Sequence, residues 1–320
     1  YTEEEFIAGW GQFLPFFIKD GVEVVNDAKG GRSSRLFINE GRFDNIEKNI
    51  SAGDYLLIEF CHNDDASKEY KTMFNRLTPL GEPDSDGRFP IIPGEAMPKD
   101  YIPPEYIDAL RKDENVKDKQ AVLDSVYKIL ESYPHDTYYP YSADGSKGTY
   151  LWFLKQFVDM AREKGAVPVF VTAPARTVYD ANGNIKDGAG LHGGNNFAYI
   201  RAMKQLGEEA KVPVIDLFAY SCGLYKQIGK EKIHWITSIK KGCNKGIWPD
   251  DFNSEMQKKE TVSEDTHFNK YGAMLITQGL VKLIKESDSS QLDGLKGMLK
   301  NPDGIDIEKY VKKPLVFEEF

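Results

Sequence analysis

The chain has 320 residues, of which 41% are hydrophobic, and its formal net charge at pH 7 is −9. An acidic chain is a poor partner for nucleic acid, because phosphate binding needs a basic surface. No apolar run approaches the roughly 20 residues of a membrane span. We therefore expect neither nucleic acid nor a membrane as a partner.

The cysteines are Cys61, Cys222 and Cys243. Three cysteines do not make a disulfide framework, and their spacing fits no zinc motif. A single bridge between Cys222 and Cys243 and a set of unbridged thiols both stay open. We expect no metal and no cofactor.

The N-terminal sixty residues combine helix and strand patterns. Apolar side chains at helical spacing predict a helix over residues 1–20, which Pro15 kinks. Residues 22–25 predict a short strand, and a glycine-rich turn over 27–34 leads into a second helix. The nearly continuous apolar run over 54–60 is typical of a parallel strand buried on both faces.

A long proline-rich segment over residues 66–147 interrupts this alternation, and we interpret it as an insertion on the fold. It contains one amphipathic pattern, which predicts a helix over Lys119–Ser132. Its end, Tyr133–Tyr141, is rich in tyrosine and proline. These rings could stack on sugars or pack as an ordinary surface loop.

Strands and helices alternate again after the insertion, which implies crossover connections and a parallel sheet in an α/β fold. We expect one domain over residues 1–286, with a tail over 287–320 that packs back on it. The predicted helices cover 150–164, 197–210 and 271–286, and the predicted strands cover 167–172 and 212–217.

Three segments place polar groups where an open parallel sheet binds ligands, at the carboxyl ends of its strands. The first, 26–34, is a double-glycine turn whose backbone can approach a ligand closely. The second, 60–65, holds Asn63, whose amide can donate to a developing oxyanion. The third, 264–273, holds acids followed by His267 in a predicted loop before a helix, a pattern that suits a general base. Each alone could be a turn, a cap or a structural histidine.

Taken in this order, the glycine turn, His62-Asn63-Asp64 and an acid followed by His267 resemble the SGNH (GDSL-like) hydrolases. More narrowly, the chain resembles their rhamnogalacturonan acetylesterase-like branch. The resemblance covers about residues 6–284 and implies a flavodoxin-like, three-layer α/β/α fold with a parallel sheet. Further matches to that branch are Gly9-Trp10-Gly11-Gln12, Gly41-Arg42-Phe43-Asp44-Asn45-Ile46 and the stretch over 266–273.

The resemblance also assigns roles. The backbone N–H of Gly31 and the side-chain amide of Asn63 would form the oxyanion hole, and His267 would be the general base and acid. The family's acid stands three residues before the histidine and is normally Asp. Here Glu264 occupies that position, and Asp265 follows it. The spacing favours Glu264, with Asp265 as the alternative.

The family's nucleophile is the serine of a Gly-Asp-Ser block at the end of a first strand, which should precede Gly9-Trp10-Gly11. No serine stands before those residues here. A sheet without its central strand would leave backbone groups unpaired at great cost. We therefore expect the block to lie upstream of Tyr1 in the complete protein.

The resemblance implies a serine esterase that removes O-acetyl groups from carbohydrate, with acetylated pectic (rhamnogalacturonan-type) chains as the expected substrate. One alternative is a non-catalytic carbohydrate-binding relative without the serine. Another is a lipid or thioester hydrolase of the same superfamily. The compartment stays open, with secretion favoured by the substrate class.

Overall fold

A computed structural model of the chain describes residues 7–65, 70–186, 197–239 and 263–311. The strands are β1 (Tyr55–Ile58), β2 (Met97–Pro98), β3 (Thr137–Tyr138), β4 (Val167–Val171), β5 (Val214–Ile215), β6 (Thr237–Ile239) and β7 (Ser263–Phe268). The helices are α1 (Trp10–Phe13), α2 (Ser34–Asn39), α3 (Arg42–Asn49), α4 (Tyr70–Arg76), α5 (Pro104–Lys112), α6 (Lys119–Ser132), α7 (Tyr150–Glu163), α8 (Ala198–Glu209), α9 (Leu217–Ile228), α10 (Lys270–Glu286) and α11 (Asp293–Met298).

The chain divides into two compact units. Unit A contains the described residues of 1–28, 174–186 and 215–320, and unit B those of 29–173 and 187–214. Several connections therefore pass from one unit to the other. The expectation of one domain over 1–286 with a separate tail stays a prediction.

A parallel sheet with strand order β1-β4-β5 confirms the predicted α/β class. β1 pairs in parallel with β4, and Leu57 lies opposite Val169. The β4 side chains Val169, Phe170 and Val171 are fully buried. A continuous apolar run suits such a strand because both of its faces are covered.

Helix α7 follows the insertion and leads into β4. It buries many apolar side chains in unit B. Its buried side chains recur at helical spacing and include Phe153, Leu154 and Phe157. The Phe157 ring packs against Phe60, just beyond β1, at a centroid distance of 5.3 Å. This packing holds the end of β1, and the polar residues that follow it, in a fixed position.

The insertion forms its own hydrophobic cluster around α4, α5 and α6. The predicted helix over Lys119–Ser132 is confirmed as α6. Of the tyrosines that could have stacked on sugars, Tyr133, Tyr138 and Tyr141 are at most 7% exposed. These three rings therefore serve the packing of the insertion. The cluster comprises Leu36, Phe74, Ile102, Tyr106, Leu110, Val126, Leu130, Tyr133, Tyr138 and Tyr141.

Buried Arg35 on α2 fastens the insertion to the sheet-bearing part of unit B. Its guanidinium donates to the carbonyls of Phe74 at 2.7 Å, Tyr139 at 2.9 Å and Leu77 at 3.1 Å. Each of these carbonyls lies in the insertion. Burial lowers the pKa of Arg35 from its ordinary value, although nearby tyrosines and Asp64 oppose that shift.

Unit A is organised around α10, whose apolar side is buried along nearly its whole length. The antiparallel pair β6–β7 precedes this helix, with Thr237 opposite Phe268. The tail reaches the N-terminal segment, where Lys19 N–H donates to the Met298 carbonyl at 2.9 Å and Lys300 N–H to the Phe17 carbonyl at 2.8 Å.

Two local expectations are wrong. The predicted strand over 22–25 does not form, and Val25 is 67% exposed. A strand needs a partner for its backbone groups, and no described segment pairs with this one. The predicted helix over 1–20 is reduced, in its described part, to α1 and a 3-10 turn over Leu14–Phe17 that contains Pro15.

Candidate active site

The Gly31 turn has the backbone conformation that only glycine adopts easily. Its φ is +79°, in the left-handed region where a side chain would be strained. The turn ends at Ser33, whose hydroxyl accepts the N–H of Leu36 at 3.2 Å and so caps α2. The predicted glycine turn leading into a helix is confirmed here.

Asn63 lies in a tight turn just beyond β1. The N–H groups of Asp64 and Asp65 both donate to the carbonyl of Cys61, at 3.0 and 3.2 Å. In this turn the side chains of Asn63 and Asp64 point in different directions. Asp64 points into the protein and is fully buried, whereas Asn63 stays partly exposed.

Asp64 joins this turn to the glycine turn. One carboxylate oxygen accepts the backbone N–H of Ser34 at 2.9 Å and its hydroxyl at 2.5 Å. Ser34 is also fully buried. The segments that carry Gly31 and Asn63 are therefore held together by a pair of hydrogen bonds from which water is excluded.

The backbone of Asp64 is fixed as firmly as its side chain. Its carbonyl accepts the N–H of Thr78 at 3.0 Å and the hydroxyl of Tyr199 at 3.1 Å. The Tyr199 hydroxyl also donates to the Thr78 carbonyl at 2.8 Å. Three segments distant in sequence thus meet at one residue of the His-Asn-Asp motif.

Burial raises the pKa of Asp64 to about 7. The hydrogen bonds from Ser34 and the nearby Arg35 favour the ionised carboxylate and oppose this shift, but they do not cancel it. Desolvation dominates because the side chain has no access to water. The group that joins the two turns therefore titrates close to neutral pH.

The sequence interpretation missed Arg76, the last residue of α4. Its Nη1 donates to Oδ1 of Asn63 at 3.1 Å. A Cβ atom built on Gly31 would lie 3.1 Å from its Nη2. The same guanidinium therefore bonds Asn63 and lies beside the backbone of Gly31. That these two residues form an oxyanion hole stays a prediction. In the sequence, Arg76 belongs to none of the motifs that indicate site residues.

His267 lies in β7, next to the end of that strand, and not in the predicted loop. β6 and Asn269 position it. Asn269 caps α10 by accepting the N–H of Gly272 at 2.8 Å, and its side-chain nitrogen donates to the carbonyls of Trp235 at 2.8 Å and Thr237 at 3.1 Å. The backbone on the C-terminal side of His267 is thus tied to the segment around β6.

His267 belongs to unit A, whereas Gly31 and Asn63 belong to unit B. That the three act in one site stays a prediction. The side chains of Glu264 and Asp265 lie outside the part of the chain that the structure describes, so the choice between them as the acid also stays open. Cys243 lies outside it too, and with it the Cys222–Cys243 bridge.

The chain is similar over most of its length to curated esterases. It is 30% identical over 280 residues to the rhamnogalacturonan acetylesterase RhgT of Bacillus subtilis (strain 168), covering 88% of this chain and 82% of that protein. It belongs to the rhamnogalacturonan acetylesterase-like branch of the SGNH hydrolases. The probable rhamnogalacturonan acetylesterase YesY of the same bacterium is 28% identical over 279 residues, which are 87% of this chain and 83% of that protein.

Two further comparisons are shorter or weaker. A rhamnogalacturonan acetylesterase of Emericella nidulans is 48% identical over 59 residues, which are 18% of this chain and 23% of that protein. The crystal structure of the YxiM protein of Bacillus subtilis covers 89% of this chain and 52% of its own, at 18% identity and a TM-score of 0.48. No family model matches the chain.

Membership of this acetylesterase branch makes the chain a member of an esterase family. In the described ranges, no three His, Cys, Asp or Glu side chains come together as metal ligands. None of the described helices combines the length and the apolar composition that crossing a membrane requires.

Proposed function

We propose that this protein is a serine esterase that removes O-acetyl groups from carbohydrate. The observation that carries the proposal is that Gly31 and Asn63 both lie near the Arg76 guanidinium, and that Asp64 and Ser34 join their turns. A backbone N–H beside a side-chain amide is the pair of donors that a tetrahedral acyl intermediate needs.

In the proposed reaction, a serine hydroxyl attacks the acetyl carbonyl carbon while His267 takes the hydroxyl proton. The carbonyl oxygen becomes an oxyanion that accepts hydrogen bonds from Gly31 N–H and the Asn63 amide. The bond to the sugar oxygen then breaks, and His267 gives that oxygen its proton. Water, deprotonated by His267, then attacks the acetyl-serine, and acetate is released as His267 returns the proton to the serine oxygen.

Two parts of this machinery come from the family resemblance. By that resemblance, the nucleophile is the serine of a Gly-Asp-Ser block. The acid that orients the His267 ring is Glu264 by spacing, or Asp265. A histidine, an adjacent acid and two oxyanion donors serve little purpose without a nucleophile to activate.

For the substrate we propose acetylated pectic chains of the rhamnogalacturonan type. The support is the similarity to proteins named rhamnogalacturonan acetylesterases, which covers more than four fifths of this chain for two of them. The net charge of −9 does not favour binding to acidic chains, so contacts from individual basic or polar side chains must provide recognition.

The test is acetate release by the protein expressed from its complete open reading frame. We expect release from acetylated rhamnogalacturonan and hydrolysis of p-nitrophenyl acetate, both abolished in His267→Ala. The matched control is His135→Ala. His135 is an exposed histidine of unit B that pairs with Asp44 at 2.6 Å, and its loss should leave turnover unchanged.

Other outcomes replace the proposal with a defined alternative. Activity on long-chain acyl esters in preference to acetylated sugar would indicate a lipid hydrolase. An inert protein that still binds acetylated rhamnogalacturonan would indicate a carbohydrate-binding relative. Hydrolysis that survives His267→Ala would contradict the mechanism itself.

A further inference from the structure

The guanidinium of Arg76 lies beside Asn63 and beside the backbone of Gly31. Nη1 is 3.1 Å from Oδ1 of Asn63, and Nη2 is 3.1 Å from the position of a Cβ atom on Gly31. We infer that Arg76 is a positioning residue that turns the Asn63 amide so that its nitrogen faces the acetyl oxygen. The inference rests on the proposed esterase function.

The orientation of the Asn63 amide decides whether it helps or hinders. An asparagine head carries an acceptor oxygen and a donor nitrogen of similar size, and only the nitrogen stabilises an oxyanion. An arginine has donors and no acceptor. The guanidinium can therefore donate a hydrogen bond only to the oxygen of Asn63. The N–H₂ group of Asn63 is then left pointing away from Arg76.

Arg76 is held to the same turn that it would orient. The Thr78 hydroxyl donates to the Arg76 carbonyl at 3.1 Å, and the Thr78 N–H donates to the carbonyl of Asp64 at 3.0 Å. Asp64 directly follows Asn63. The donor and its target thus sit on backbone segments joined through Thr78, so the hydrogen bond keeps its geometry.

The charge of Arg76 adds to this orienting effect. A guanidinium stays protonated at every pH at which the enzyme would work. By pulling electron density toward Oδ1, it makes the Asn63 N–H groups stronger donors. The benefit arises when negative charge develops on the acetyl oxygen, which predicts an effect on kcat and little effect on KM.

The experiment is a double-mutant cycle of Arg76→Met and Asn63→Ala in the protein from the complete open reading frame. The readouts are kcat and KM for p-nitrophenyl acetate and for acetylated rhamnogalacturonan, with urea unfolding to check the fold. Loss of an oxyanion donor costs roughly 100- to 1000-fold in kcat. We expect Arg76→Met to lower kcat by about 10- to 100-fold, with KM within about twofold of the wild type.

In the Asn63→Ala background, Arg76→Met should lower kcat by less than about threefold, because the residue through which Arg76 acts is gone. Arg76→Lys should recover part of the loss, since an ammonium is also only a donor. Arg76→Gln should recover less, because its amide can present either its oxygen or its nitrogen. The control Arg111→Met removes an arginine of unit B that is 72% exposed and should change nothing.

The outcomes separate the two proposals. An inert wild-type protein overturns the proposed function, and the inference with it. An active wild-type protein with an unchanged kcat in Arg76→Met overturns the inference alone. The inference also fails if Arg76→Met lowers kcat equally in both backgrounds, since Arg76 would then not act through Asn63.

Discussion

The carboxylate of Asp64 accepts two hydrogen bonds from Ser34, one from the backbone N–H at 2.9 Å and one from the hydroxyl at 2.5 Å. This contact explains why an aspartate follows Asn63. It ties the turn after β1 to the turn that carries Gly31, so the two proposed oxyanion donors keep a fixed separation. Preorganised donors of this kind need no rearrangement when charge develops on the substrate.

The raised pKa of Asp64 makes the stability of the fold depend on pH. Its pKa is about 7 in the folded protein, against 3.8 for the free side chain. The folded state therefore binds this proton more tightly than the unfolded state does. The resulting stabilisation is fully present below about pH 3.8 and is lost as the pH rises to about 7.

We predict that Asp64→Asn removes this contribution. An amide oxygen can still accept both hydrogen bonds from Ser34, but the side chain no longer titrates. From pH 4 to pH 8 the variant should gain stability relative to the wild type, on the order of 4 kcal/mol at most for a shift of this size. Urea unfolding at both pH values measures the gain. The exposed Asp108→Asn is the control and should show none.

Helix and strand patterns predicted the parts of unit B in which local sequence and tertiary packing agree. The helix over Lys119–Ser132 and the strand over 167–172 carry strong apolar periodicity or a continuous apolar run, and both form. The run over 22–25 has the same β-forming residues but no partner among the described segments. Strand propensity depends on pairing, which a local pattern does not contain.

The sequence indicated candidate site residues only where their chemistry coincides with a local motif. Gly31 and Asn63 each follow a strand-like pattern and belong to the family's motifs, and their role in an oxyanion hole stays a prediction. Arg76 is 13 residues from Asn63 along the chain, and only the packing of α4 brings them together. His267 was predicted in a loop because its strand partner, around Thr237, is far away in sequence.

Gly272 lets α10 begin directly against Ile236, the residue before β6, which fixes the backbone next to His267. A Cβ atom there would lie 2.0 Å from the backbone carbonyl oxygen of Ile236, an atom that cannot move aside cheaply. We predict that Gly272→Ala lowers the free energy of unfolding by roughly 1–3 kcal/mol, as overpacking does, and lowers kcat as well. Gly297→Ala, also in a helix of unit A but with open space around it, should be neutral or slightly stabilising. Equal effects at the two positions would contradict this account of Gly272.

Gly31 and Gly53 offer a matched pair for separating backbone strain from the function of the turn. Both have positive φ, +79° and +91°, but a Cβ on Gly31 would meet Arg76, whereas a Cβ on Gly53 would meet nothing within 4 Å. Each change to alanine should cost roughly 1–2 kcal/mol of stability, because the left-handed region disfavours side chains. Only Gly31→Ala should also reduce kcat, since the new methyl group displaces the guanidinium that holds Asn63. A similar kcat in the two variants would argue against a role for the Gly31 turn in the reaction.

We propose that Asn63 and His267 act in the same esterase reaction. The measurement is kcat/KM for acetate release from acetylated rhamnogalacturonan by Asn63→Ala, His267→Ala and the double variant. Groups that act on the same transition state lose activity non-additively. We predict that the double variant falls no more than about tenfold below the poorer single variant. A double loss equal to the product of the two single losses, or a His267→Ala variant as active as the wild type, would contradict the account.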